Sequence, residues 1–126
     1  MNLSLDTHVL LWSLSFPERL SEAARNAIED PSNLVFVSAA ATWEIEIKSS
    51  LGKLRVPPDL VRQLAVANFQ ELAITIAHTI AVKELPNLHR DPFDRIMLAQ
   101  ARTAGLTFVT ADPVVLQYPG PFLRAT

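Results

Sequence analysis

Asp91-Pro92-Phe93-Asp94-Arg95-Ile96-Met97-Leu98-Ala99-Gln100-Ala101-Arg102-Thr103-Ala104-Gly105-Leu106-Thr107-Phe108-Val109-Thr110-Ala111-Asp112 is the stretch whose reading decides the fold. Its first half carries helix punctuation at both ends: Asp91 suits the N-cap, Pro92 the first helical position and Gly105 the position just past the end. The second half is a short, apolar, β-branched run ending in an acid, which reads as a buried strand. A helix passing directly into a buried strand is half of a βαβ unit. In sheets built from such units, ligands collect at the carboxyl ends of the strands, where Asp112 falls.

The same alternation extends upstream. Asn2 to Thr7 is a strand candidate that stops at Asp6, and His8 to Leu14 is apolar nearly all round, as a buried helix would be. Ser21 can cap a helix through Glu29, and Asp30-Pro31-Ser32-Asn33 is a turn cluster. Leu34-Val35-Phe36-Val37 is continuous and apolar, the pattern of a strand covered on both faces. Ser38 then caps a helix over Ala39 to Ser50, with Trp43, Ile47 and Leu51 as its apolar stripe and Gly52 as its stop. A helix over Leu60 to Phe69, a strand over Leu72 to Thr75 and a helix over His78 to Leu85 follow, and a short edge strand is expected around Phe122-Leu123. Strands alternating with helices predict an α/β protein: a three-layer α/β/α sandwich around a mostly parallel sheet of four to five strands.

At 126 residues the chain has the length of a single domain spanning 1–126. A hydrophobic fraction of 49% with 19% charged residues is enough for a packed core and argues against disorder. The net charge of −2 provides no general field for nucleic acid, so any RNA binding must rest on local cations or bound metal ions. Without cysteine there is neither a disulfide framework nor a thiolate site, which fits a reducing cytoplasm. No basic leader precedes an apolar run, and no apolar run approaches the roughly 20 residues that span a bilayer, so no membrane association is expected.

Four acids stand out. Asp6 ends the first strand and Asp112 follows the last strong one, so right-handed crossovers bring both to one rim. Asp94 lies in the first turn of its helix and Glu44 two turns into the helix after the second strand. Carboxylate clusters of this kind suit hard divalent cations, Mg²⁺ or Mn²⁺, which can activate water and stabilise the oxygens of a phosphodiester. Each acid also has a simpler reading. Asp94 forms a capping pair with Asp91. Glu44 precedes Lys48 by one helical turn. Asp112 precedes Pro113 in a turn, and Asp6 can cap the following helix. Thr7 and Thr110 carry hydroxyls beside the acids, as water-orienting groups or as local backbone partners. His89, Arg90 and Arg95 crowd the same region and can meet phosphates or simply form a solvated loop. His8, His78 and His89 are too far apart in sequence to form a ligand set of their own, and His8 reads either as a packed helix residue or as a side chain approaching the site.

Leu5-Asp6-Thr7-His8-Val9-Leu10-Leu11-Trp12, Ser38-Ala39-Ala40-Ala41-Thr42-Trp43-Glu44-Ile45, Leu51-Gly52-Lys53-Leu54, His89-Arg90-Asp91-Pro92-Phe93-Asp94-Arg95 and Val109-Thr110-Ala111-Asp112 together resemble the PIN-domain family, and within it the VapC-type toxins of type II toxin–antitoxin modules. The resemblance covers nearly the whole chain. It implies an endoribonuclease dependent on Mg²⁺ or Mn²⁺, with Asp6, Glu44, Asp94 and Asp112 as metal-holding, catalytic acids. It also implies a homodimer and a cognate antitoxin that blocks the site. The apolar segments Leu10 to Leu14 and Leu60 to Phe69 are candidate surfaces for these partners. Two other readings stand beside it. One is a non-catalytic binding module whose acids hold a structural ion or a partner's arginine. The other is a phosphoryl-transfer receiver domain, which would need an acidic pair near the first strand and a lysine after the last; here Asp6 stands alone and only Arg124 follows Asp112.

Overall fold

The computed structural model describes residues 1–126. Five strands, β1 (Asn2–Leu5), β2 (Leu34–Ser38), β3 (Gln70–Leu72), β4 (Thr107–Thr110) and β5 (Phe122–Arg124), form one sheet in the order β3-β2-β1-β4-β5. Every neighbouring pair is parallel. Six helices connect them: α1 (Thr7–Ser15), α2 (Glu22–Glu29), α3 (Ala39–Ser50), α4 (Leu60–Val66), α5 (Ile76–Val82) and α6 (Pro92–Ala104). The chain steps outward from β1 through β2 to β3, then returns across the sheet to β4. Right-handed crossovers in two opposite directions place helices on both faces, the sandwich expected from the sequence.

Coverage on both faces explains why β1 alternates nothing. Leu3, Ser4 and Leu5 are all fully buried, and burying each leucine stabilises the fold by about 1.5–3 kcal/mol. Phe108 on β4 is the largest fully buried side chain, and Leu10, Ile45, Met97 and Leu98 bring the helices onto the sheet. The organising helix forms as its punctuation predicts. Asp91 accepts hydrogen bonds from the Phe93 and Asp94 amides at 2.8 and 3.3 Å, Pro92 occupies the first turn, and Gly105 closes the helix at φ 68°. This left-handed backbone costs a glycine little.

Several boundaries differ from the sequence reading. In α3 the buried residues are Ala40, Ala41, Glu44 and Ile45, whereas Trp43 is 61% exposed and Leu51 63%. Apolar residues recur at helical spacing on two faces of this helix, and close approach to its neighbours selects the face with the small alanines. Helix α4 stops at Val66, because Asn68 takes a left-handed backbone at φ 59°, and Ala67 is exposed. The third strand is Gln70–Leu72 and not Leu72 to Thr75, since Thr75 is drawn off as the N-cap of α5. Its hydroxyl accepts from the His78 amide at 3.3 Å while His78 Nδ1 accepts from the Thr75 amide at 3.0 Å. Helix α5 therefore starts two residues earlier than expected. In α1, Val9, Leu10 and Leu11 are buried in the core, but His8 is exposed and is not a packed histidine.

Candidate active site

The strand order places the topological switch point between β1 and β4, the two strands from which the chain departs in opposite directions. Open parallel sheets have their crevice at the carboxyl ends of such a pair. Register makes the two ends level: Leu5 lies opposite Val109, so the residues that follow, Asp6 and Thr110, meet across the sheet. Asp6 N–H donates to the Val109 carbonyl at 3.1 Å, and the Thr110 hydroxyl donates to Asp6 Oδ2 at 2.5 Å. Asp6 Oδ1 accepts from the Val9 amide at 2.8 Å and so caps α1. Burial pushes the Asp6 carboxyl above its ordinary range, against the pull of those hydrogen bonds.

The other three acids arrive at the same place. A cavity of about 430 Å³ is lined by Asp6, Glu44, Asp94 and Asp112, together with His8, Trp12, Lys48, His89, Asp91 and Ala111. Glu44 projects from the buried face of α3. Its Oε1 accepts from the Thr7 hydroxyl and its Oε2 from Lys48 Nζ, each at 2.5 Å. That bond holds the Lys48 ammonium above its ordinary range. Asp112 hangs from the end of β4. Its Oδ1 accepts from the Val114 and Val115 amides at 2.8 and 3.4 Å, and its Oδ2 lies 2.8 Å from His89 Nε2. Burial lifts this carboxyl, but the bonds from His89, Val114 and Val115 outweigh it and hold Asp112 below the usual carboxylate range.

Asp94 is the most perturbed. Burial, then the neighbouring charge of Asp91, raise it from 3.8 to about 7, with Asp6 and Glu44 adding to the effect and His89 opposing it. Its Oδ2 lies 3.2 Å from His89 Nε2. Like charges forced together at the carboxyl edge of a sheet either hold a proton or hold a cation. All the acidic donors here are hard carboxylate oxygens, and the lining contains no sulfur. The set fits an ion of the Mg²⁺ or Mn²⁺ class and does not suit a soft one.

All four sequence-selected acids therefore converge on one cavity, and Asp6, Glu44 and Asp112 also perform the local tasks that their simpler readings assign, whereas the Asp91 amide turns to His89 Nδ1 and the Asp94 carboxylate takes no part in the cap. Thr7 and Thr110 stand behind two of them as hydroxyl donors. The arginines sit differently. Arg90 is exposed, and neither Arg90 nor Arg95 lines the cavity. Arg95 instead donates to the carbonyls of Pro86 and Val82 at 3.0 and 3.1 Å and to Tyr118 Oη at 3.2 Å. It ties down the loop before α6, the simpler of the two readings that the sequence offered for it. Tyr118 escaped notice in the sequence because its partners lie about 30 residues upstream: its oxygen also receives the Leu88 and His89 amides at 3.2 and 2.9 Å.

A sequence model of the PIN domain family matches residues 3–120, most of the chain and all of the acids just described. The chain belongs to the PIN domain family. Among the relatives of this PIN domain is Ribonuclease VapC22 of Mycobacterium tuberculosis, 32% identical over 111 residues that cover 86% of this chain and 85% of the relative. This places the chain with the VapC-type members. Its fold matches a chain of the VapBC2 complex from Rickettsia felis bound to a promoter DNA fragment, with a TM-score of 0.74, 14% identity and full coverage of both chains. A chain of the DNA-bound VapBC complex from Salmonella typhimurium gives 0.64 at 18% identity, covering 98% of each.

Proposed function

We propose that this PIN domain is a metal-dependent endoribonuclease toxin that hydrolyses RNA phosphodiester bonds in the cytoplasm and is neutralised by a cognate antitoxin. The observation that carries the reading is the meeting of Asp6, Glu44, Asp94 and Asp112, from four separate elements, in one cavity at the switch point. The ribonuclease name of the Mycobacterium tuberculosis relative supports the RNA substrate, and the VapBC complexes of the structural neighbours support a protein partner.

Asp6, Asp94 and Asp112 would hold Mg²⁺ or Mn²⁺, with Glu44 closing the set. When bound there, the ion supplies Lewis-acid polarisation of a phosphodiester and lowers the pKa of water. The chain's own residues do the rest. Thr110 and the Val9 amide fix both oxygens of Asp6, so that carboxylate cannot rotate away from the cavity. Thr7 and Lys48 orient Glu44, and the Lys48 ammonium adds a positive charge to the cavity wall on which a phosphate can rest. Asp94 lines the cavity without a protein hydrogen bond to its carboxylate and would lend its oxygens to the ion. Exposed Arg90 can meet the flanking phosphates.

For the antitoxin, the surface around Leu60 to Phe69 is the better of the two sequence candidates. It lines a groove of about 620 Å³ bounded by Val37, Leu60, Val61, Leu64 and Phe69, of which Val61 is 80% exposed. Leu10 and Leu11 are buried in the core and cannot serve. A homodimer would draw on the exposed apolar residues of α3 and α5, chiefly Trp43, Ile76 and Ile80.

Asp6→Asn tests the reading. The amide keeps the shape and the capping oxygen while removing the charge. Mg²⁺-dependent cleavage of RNA should fall by about 100-fold or more, with the far-ultraviolet circular dichroism unchanged. Full activity in this variant would refute the assignment. The second reading, a binding module without turnover, is favoured by one observation: every acid already has a protein partner. Mn²⁺ titrated against a fluorescent RNA separates the two, since a module binds the ion and leaves the RNA intact.

A further inference from the structure

Asp94 and Asp112 belong to different elements, and the side chain that joins them is His89. Its Nε2 lies 2.8 Å from Asp112 Oδ2 and 3.2 Å from Asp94 Oδ2. One nitrogen and two oxygens of this group all lie within 4.8 Å of one another, a spacing that would suit three ligands of one ion. The other ring nitrogen argues against that arrangement. The Asp91 amide donates to His89 Nδ1 at 3.0 Å. Nδ1 therefore carries the lone pair, and the ring proton is on Nε2. A protonated Nε2 has no lone pair to offer a cation; it has a hydrogen to offer carboxylates.

We propose that His89 is a positioning residue: its Nε2–H bonds Asp112 and stands against Asp94, sets the separation of the two carboxylates, and leaves their remaining lone pairs to a divalent cation. This inference rests on the metal-dependent reading of the site and deepens it. The ring is built into the scaffold. Its own amide donates to Tyr118 Oη at 2.9 Å, and Arg95 holds the same phenol oxygen at 3.2 Å. Asp112 is already fixed through Oδ1 by two amides, so His89 decides where Oδ2 points. Asp94 Oδ2 lies 3.2 Å from the same nitrogen as a charge contact, with no hydrogen bond of its own to the ring. A carboxylate oxygen can accept such a hydrogen bond and ligate an ion at once, and removal of donors of this kind weakens metal sites by about 10–100-fold.

The test uses the full chain and Mn²⁺ alone. Isothermal titration is run on the wild type, His89→Ala and His89→Gln, and pulsed electron paramagnetic resonance on the Mn²⁺-loaded wild type. His89→Ala should bind Mn²⁺ about 10–100-fold more weakly. His89→Gln should recover most of that loss, because its amide N–H reaches the place of Nε2–H; a purely structural role would not be rescued in this way. The resonance spectrum should contain no directly coordinated imidazole nitrogen, a result that does not depend on how well either variant folds. A directly coupled nitrogen would make His89 a ligand and overturn the proposal. Unchanged affinity in His89→Ala, or equal losses in both variants, would overturn it as well. A wild type that binds no Mn²⁺ would remove the metal-dependent reading itself, an outcome distinct from the failure of His89 alone.

Discussion

Replacing Asp94 by asparagine should stabilise the metal-free protein, and the gain should depend on pH in a defined direction. In the folded chain the Asp94 carboxyl is raised from 3.8 to about 7, first by burial and then by the charge of Asp91. The folded state therefore holds this proton more tightly than the unfolded chain does. Between about pH 4 and pH 7 the native state binds more protons, so Asp94 lowers stability progressively as pH rises through that window, and the loss is complete above about 7. At about 1.4 kcal/mol per pH unit the ceiling is about 4 kcal/mol. The side chain is 18% exposed in an open cavity, and solvent screening reduces the expected cost to about 2 kcal/mol. Asn keeps the shape of the side chain and removes the charge. In EDTA at pH 8, Asp94→Asn should melt about 6–10 °C above the wild type for a chain of this size, and the gap should close toward pH 4. Saturating Mg²⁺ should reverse the order, since an ion at 100 times its Kd contributes about 2.7 kcal/mol to the wild type. Thermal melts from pH 4 to 8, with EDTA or Mg²⁺, measure all of this. An asparagine variant that is less stable at pH 8 in EDTA, or a gap that ignores pH, would show that repulsion among the acids is not the strain in this site.

Two other expectations concern the scaffold. Ser4 is fully buried on β1 and its hydroxyl has no hydrogen-bond partner, so Ser4→Ala should raise stability by about 1 kcal/mol in urea denaturation; a clear loss would mean the hydroxyl is satisfied by buried water. Arg95→Lys cannot reproduce a fork that reaches the Val82 and Pro86 carbonyls and Tyr118 together. It should cost about 1–3 kcal/mol and speed amide exchange from Leu85 to Arg90; unchanged exchange there would remove Arg95 as the clamp of that loop.

Elements with local punctuation were legible without coordinates. Asp91, Pro92 and Gly105 bracket α6, and Ser21 and Ser38 cap α2 and α3, because a cap is a contract between residues two or three positions apart. Where two local signals compete, reading the chain alone fails. Thr75 suits a strand as well as a cap, and the His78 side chain decides for the cap. Trp43, Ile47 and Leu51 form a stripe as regular as the one through Ala40, Ala41, Glu44 and Ile45, and periodicity cannot say which one faces inward.

The acids divide in the same way. Strand ends, chain order and the handedness of crossovers were enough to send Asp6, Glu44, Asp94 and Asp112 toward one rim, because parallel sheets leave few other topologies. The tertiary structure alone decided how each carboxylate is held. Asp6 meets Thr110 across 104 residues, Glu44 meets Thr7 across 37, and Asp112 meets His89 across 23. Hydrogen bonds of this kind depend on register and rotamer, quantities set by packing in three dimensions and not by any spacing along the chain.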